Sequence, residues 1–94
     1  VCHGPAALLA ARNPDGSWPF AGRKMTSLSD EEEIEFGTAE NAPWLLAEAL
    51  RALGAKFEQG PNWSTHVVKD GNLLTGQNPQ SSAALAEVVI AALR

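Results

Sequence analysis

The chain opens on Val1-Cys2-His3-Gly4-Pro5, and no other stretch constrains its fold as far. Its single cysteine stands there, with a histidine directly after it. Gly-Pro then leads into the apolar run Ala6-Ala7-Leu8-Leu9-Ala10-Ala11. A small residue beside a candidate nucleophile, with a helix just beyond, is the pattern of a strand-to-helix elbow. Such a turn lifts a side chain out at a helix N-terminus. Free backbone N–H groups and the positive end of the helix dipole favour a thiolate there over a thiol. The adjacent imidazole can pair with the thiolate or move its proton. The competing fate of a free cysteine is burial as an inert small hydrophobe, but the neighbouring His3 and the Gly-Pro favour the reactive reading. Since almost nothing precedes Cys2 to build the strand an elbow needs, we expect residues 1–94 to be the C-terminal part of a longer domain.

The rest of the chain alternates short strand candidates with helical stretches. Pro5 to Arg12 reads as a helix whose nearly continuous apolar surface predicts burial. Asn13-Pro14-Asp15-Gly16-Ser17 ends it with turn residues. Trp18-Pro19-Phe20 follows on a loop closed by Gly22, and reads first as a hydrophobic latch, second as a pocket wall. Lys24–Leu28 is a strand candidate, and Ser29 or Asp30 can cap the acidic turn Asp30-Glu31-Glu32-Glu33 that comes next. A helix is expected from Ala42-Pro43 to Leu53, capped by Asn41, with Trp44 in the core and Gly54 as its C′ residue. Ala55–Glu58, Thr65–Lys69 and Asn72–Thr75 read as strands. Asp70-Gly71 is a hairpin-turn signal between the last two. Asn78-Pro79 can open the final helix, which is apolar on nearly every side from Ala83 to Leu93 apart from Glu87. That pattern predicts burial against a sheet or a partner chain. Helices alternating with strands make the class α/β, with the elbow at the carboxyl end of a strand, where open α/β sheets place their sites.

Composition narrows the function. At 94 residues, 45% hydrophobic and 19% charged, the chain is at most one globular domain. A net charge of −4, with its seven Lys and Arg scattered, argues against nucleic acid as a partner. No run is long and apolar enough to span a membrane, and no basic n-region of a signal peptide is visible. One cysteine forms no internal disulfide, which suits a reducing, cytoplasmic setting. One Cys and two His supply no zinc-ligand spacing. His66 reads as a packed strand histidine rather than a site residue.

Several motifs together resemble the ThiJ/PfpI family of the class I glutamine amidotransferase-like superfamily. They are Cys2-His3-Gly4-Pro5, Gly22-Arg23-Lys24-Met25-Thr26 before the acidic helix, Ala42-Pro43-Trp44-Leu45-Leu46, and His66-Val67-Val68-Lys69-Asp70-Gly71-Asn72-Leu73-Leu74-Thr75-Gly76-Gln77-Asn78-Pro79. The likeness runs over nearly the whole chain and is nearest to the branch of heat-shock-type chaperones and glyoxalase III enzymes. It implies a flavodoxin-like three-layer α/β sandwich, present here only as its C-terminal part, and a homodimer when full-length. It further implies a nucleophile at Cys2, a base at His3 and a completing carboxylate at the start of the acidic helix. Glu33 is the best match by spacing, ahead of Glu32 and Asp30.

The implied chemistry is conversion of methylglyoxal, a small aldehyde, to lactate without glutathione, metal or organic cofactor, because the protein supplies the thiol. A redox-responsive chaperone or stress protein is the alternative implied function, and a cysteine hydrolase or peptidase of the PfpI type is another. Trp63, just before a strand, can line the site or seal the sheet, and Gln77 and Asn78 can reach a ligand, although turn and cap roles explain those two without one.

Overall fold

The computed structural model describes residues Val1–Arg94. A 3₁₀ helix, Gly4–Ala10, is followed by β1 (Lys24–Met25), α1 (Asp30–Phe36), a 3₁₀ turn (Ala39–Asn41), α2 (Leu46–Ala52) and β2 (Lys56–Phe57). Then come β3 (Val67–Asp70), β4 (Leu73–Gly76), a second 3₁₀ turn (Pro79–Ser81) and α3 (Ser82–Ala92). The alternation of helix and strand is that of an α/β fold.

β1 and β2 pair in parallel, Met25 opposite Phe57, so the chain between them must cross over through α1 and α2. β3 and β4 form an antiparallel hairpin, Val68 opposite Thr75. The hairpin turn lies one residue later than the sequence suggests. Asp70 pairs with Leu73, leaving Gly71-Asn72 as the loop. Only Gly71 has positive φ, 60°, the pattern of a II′ turn with glycine first. Asp70 is thereby free to bind elsewhere. It accepts from Arg23 Nε at 3.0 Å and from the Lys24 backbone N–H at 2.8 Å. Thr75 Oγ1 accepts from the Thr26 N–H at 2.9 Å. These side-chain bonds join the two short sheets at β1.

The first helix is a 3₁₀ helix and not the buried α-helix that its apolar run suggests; only Pro5 in it is buried. Its closing carbonyls are taken by side chains, as helix ends require. Trp18 Nε1 donates to the Leu8 carbonyl at 2.8 Å and Arg12 Nη1 to that of Leu9 at 2.7 Å. Trp18 is buried and meets Phe20 edge-on with ring centroids 5.7 Å apart. The Trp-Pro-Phe loop is therefore the expected latch.

α2 also starts later than expected. Ala42, ahead of Pro43, is extended (ψ 132°), as a residue before proline tends to be. The helix begins only after Leu45, so Asn41 does not cap it and Trp44 lies outside it, 51% exposed rather than in the core. Gly54, with φ 104°, follows α2 as foreseen.

α3 does not find within this chain the burial against a sheet that its composition suggests. It packs along β4 but buries no residue, and Val89, Ile90 and Leu93 remain exposed.

The core is small. Trp18, Met25, Leu46 and Leu50 form its buried cluster, packed between the first helix, α2 and β1. Seven hydrophobic side chains are buried against nine polar or charged ones. The interior is therefore held by hydrogen bonds as much as by apolar contact, and most of the buried polar groups gather at the N-terminus of α1. Ser29 caps that helix, its Oγ accepting from the Glu32 N–H while Glu32 Oε1 accepts from the Ser29 N–H, a complete capping box. Ser29→Ala is expected to cost about 1–2 kcal/mol. Urea denaturation should show this as a lower midpoint at unchanged slope, and an unmoved midpoint would mean that α1 is held by its other contacts alone.

Candidate active site

Cys2 is set by backbone bonds to two strand ends. Its N–H donates to the Gly76 carbonyl at the end of β4, 3.1 Å, and its carbonyl accepts from the Leu28 N–H beyond β1, 3.0 Å. Gly76 permits that approach, since a Cβ there would lie 3.0 Å from Val1 Cγ2 and 3.3 Å from Ser81 Cβ. Cys2 holds φ at 59°, a left-handed conformation uncommon for a residue with a side chain. Strain of this kind persists only where the surroundings impose it, and it concentrates at functional sites.

Three side chains predicted from the sequence come together. Cys2 Sγ lies 3.6 Å from His3 Nδ1. The far nitrogen, His3 Nε2, reaches Glu33 Oε1 at 2.8 Å and Oε2 at 3.0 Å. Because His3 directly follows Cys2, its near nitrogen faces the sulfur and its far one the carboxylate. The Glu33 carboxylate can only accept, so Nε2 carries the proton and Nδ1 presents its lone pair to the thiol. The Glu33 side chain is 7% exposed and that of His3 52%. Thr38 Oγ1 donates to Glu33 Oε2 and closes the carboxylate's other side.

The other carboxylates considered for this place lie elsewhere. Asp30 turns to α2, with Oδ2 3.7 Å from Arg51 Nη1. Glu32 is fully buried and faces the interior. Its Oε1 accepts from the Ser29 N–H (3.0 Å) and Gln77 Nε2 (2.8 Å), and its Oε2 from the Trp63 N–H (2.8 Å) and Asn78 Nδ2 (2.8 Å). Burial pushes this carboxyl up, but the four donors outweigh it and hold it below the usual carboxylate range. Gln77 and Asn78 are thus partners of a buried charge. Asn78 makes no side-chain cap on the helix after it. His66 is structural, its Nε2 3.1 Å from the Glu58 carbonyl.

One expectation fails on electrostatics. The Cys2 thiol is held above its ordinary range, not below it. Burial is the main cause, the His3 backbone N–H acts the other way, and the Glu33 and Glu32 charges add to the rise. The segment after Cys2 is a 3₁₀ helix, Gly4–Ala10.

Two cavities flank the His3–Glu33 pair. One of about 140 Å³ is lined by Cys2, His3, Leu28, Phe36, Trp63 and Pro79. The other, about 290 Å³, lies behind the pair and is bordered by Thr38, Pro43 and the exposed Trp44. Sequence reasoning missed Phe36, Thr38 and Trp44 here, because each acquires its place from how the chain between α1 and α2 turns. It also gave Glu32 no role beyond that of a second choice, after Glu33, for the completing carboxylate. The Ser29-x-x-Glu32 capping-box spacing was the available signal.

No family model matches the chain. Individual proteins do. Glutamine amidotransferase-like class 1 domain-containing protein 1 of Bos taurus is 35% identical over 82 residues, covering 87% of this chain and 37% of the relative. Glyoxalase 3 of Candida albicans is 34% identical over 99 residues, covering 98% of this chain and 42% of the relative. The solved glyoxalase III of that organism superposes with a TM-score of 0.82 at 33% identity, over 97% of this chain and 41% of the other. This chain belongs to the ThiJ/PfpI family. The solved rapid encystment protein of Francisella tularensis superposes more closely still, with a TM-score of 0.94 at 31% identity, over 99% of this chain and 41% of the other. The ThiJ/PfpI chain described here spans about two fifths of the length of these relatives, and its small α/β domain is a part of their flavodoxin-like fold. No helix in it is long and apolar enough to cross a membrane.

The site's electrostatics give a direct expectation. Burial and two nearby carboxylates disfavour the thiolate, so the pH profile of Cys2 alkylation by iodoacetamide should have its inflection above that of free cysteine, about 8.5. Glu33→Gln removes a negative charge and should bring the inflection down. An inflection below that of free cysteine in the unmodified chain would contradict the raised thiol.

Proposed function

We propose that residues 1–94 form the C-terminal part of a glyoxalase III-type domain that converts methylglyoxal to lactate without glutathione. Cys2 is the nucleophile, His3 the base and Glu33 the residue that orients the ring. The observation that carries this reading is the bridging imidazole, with Nδ1 toward the thiol and Nε2 on a buried carboxylate. The relationship to glyoxalase 3 supports the substrate class.

A thiol held above its usual range is not ionised at rest near neutral pH. The nucleophile is therefore made at the moment of attack. His3 Nδ1 takes the thiol proton as sulfur adds to the aldehyde carbon. Protonation of the new alkoxide gives a hemithioacetal and returns the imidazole to neutrality. The imidazole then removes the proton from that carbon to leave an enediolate, whose hydroxyl proton passes from the oxygen beside sulfur to the neighbouring oxygen. It delivers the proton to the neighbouring carbon, which becomes the carbinol of a lactoyl thioester. Water hydrolyses the thioester, releasing lactate and the free Cys2 thiol, so the net reaction is methylglyoxal plus water to lactic acid. Each transfer passes through an imidazolium, which the Glu33 carboxylate stabilises in place. The His3 backbone N–H, which favours negative charge on Sγ, is the nearest donor for the developing oxyanion.

The redox-responsive alternative is less well supported, since it calls for a thiolate at rest. A peptidase would use the same three groups, but the relationship to glyoxalase 3 favours the aldehyde reading.

Lactate formation from methylglyoxal, without glutathione and in the complete domain, tests the proposal. Cys2→Ser should abolish it, and His3→Ala should lower kcat by roughly 10²–10⁴-fold. Undiminished lactate from Cys2→Ser, or none from the complete domain, overturns the reading.

A further inference from the structure

Besides Cys2, Trp63 is the only residue other than glycine with positive φ, 58°. For a bulky side chain that conformation costs on the order of 1–3 kcal/mol and survives only where neighbours over-determine it. The neighbour here is Glu32. The Trp63 N–H donates to Glu32 Oε2 at 2.8 Å. Returning Trp63 to a common backbone conformation would swing that N–H away and leave a fully buried carboxylate short of a donor, a costly state.

Held in this way, the Trp63 ring closes one side of the cavity over Cys2. Its centroid lies 6.1 Å from that of Phe36, and the two rings line the cavity together with Leu28 and Pro79. The space is about 140 Å³, roughly ten times the 10–15 Å³ that admits one water. Apart from Cys2 and His3, its walls are apolar. We propose that Trp63 is the specificity-determining wall of the Cys2 cavity, and that Glu32 is the positioning residue that holds it there. The cavity then admits α-oxoaldehydes with a short apolar substituent, the methyl group lying against Trp63 and Phe36, and excludes aromatic or branched ones. The choice of aldehydes rests on the function proposed above. The gating of Cys2 by Trp63 does not.

The test uses two thiol reagents with a small and a bulky N-substituent, N-methylmaleimide and N-phenylmaleimide, and reads the ratio of their rates at Cys2 relative to the same ratio for free cysteine. Trp63→Ala should raise the phenyl-to-methyl ratio at least tenfold. Glu32→Gln should raise it as well, and so should the milder Glu32→Asp, which keeps the charge but withdraws the carboxylate. The double variant Trp63→Ala/Glu32→Gln should rise no further than Trp63→Ala, because Glu32 acts through the same ring. Circular dichroism establishes that each variant is folded, and Glu32→Asp carries the measurement if Glu32→Gln is not. A merely stabilising Glu32 would lower the melting temperature and leave the ratio of the folded protein unchanged, which overturns its positioning role. An unchanged ratio in Trp63→Ala overturns the gate. With phenylglyoxal as substrate, Trp63→Ala should gain lactate-type product relative to methylglyoxal. A raised maleimide ratio with no turnover of either aldehyde upholds the gate and overturns the glyoxalase reading instead.

Discussion

The buried carboxylate of Glu32 is the interaction on which the rest depends. An ionised group taken out of water is tolerated only when its acceptor sites are filled. Here four donors from three separate segments fill them: the Ser29 N–H, the Trp63 N–H, and the side chains of Gln77 and Asn78. The same bonds fasten α1, the loop before β3 and the turn after β4 to one point. With only seven hydrophobic side chains buried, apolar burial alone leaves the relative position of these segments loosely determined. The hydrogen bonds specify it.

From that point the geometry of Cys2 follows. Glu33 is one residue further along α1, and neighbouring helical positions point about 100° apart rather than to one side. With Glu32 turned to the interior, Glu33 is directed at His3. The two adjacent carboxylates thereby divide into a structural one and one that faces the imidazole. Both also bear on the thiol, since their charges join with burial to keep the proton on sulfur.

Much of this was legible in the chain. The Cys-His-Gly-Pro motif, the acidic turn with its serine cap, the Trp-Pro-Phe latch and the final hairpin each carry their signal within a few residues, and each occurs where expected. The misreadings share a cause. The run after Pro5 has the composition of a buried α-helix but forms an exposed-sided 3₁₀ helix, its carbonyls drawn to Trp18 and Arg12. Trp44 stands at helical spacing from Ala47, yet Pro43 sets Ala42 extended and delays the helix past it. α3 has the composition of a buried helix and covers β4 with only part of its surface. In each case apolar composition was read as burial, which composition alone does not decide.

The sequence by itself determined the alternation of elements, the turn positions to within a residue, and the residue types available for chemistry, because propensity, capping and turn formation are short-range effects. It also determined that Cys2 and His3 are neighbours. Only the tertiary structure decided which acidic residue meets His3, which one is buried, and whether the thiol ionises easily. Those outcomes depend on the direction of side chains around α1 and on the low-dielectric surroundings of Cys2, and both arise from segments more than twenty residues apart coming into contact.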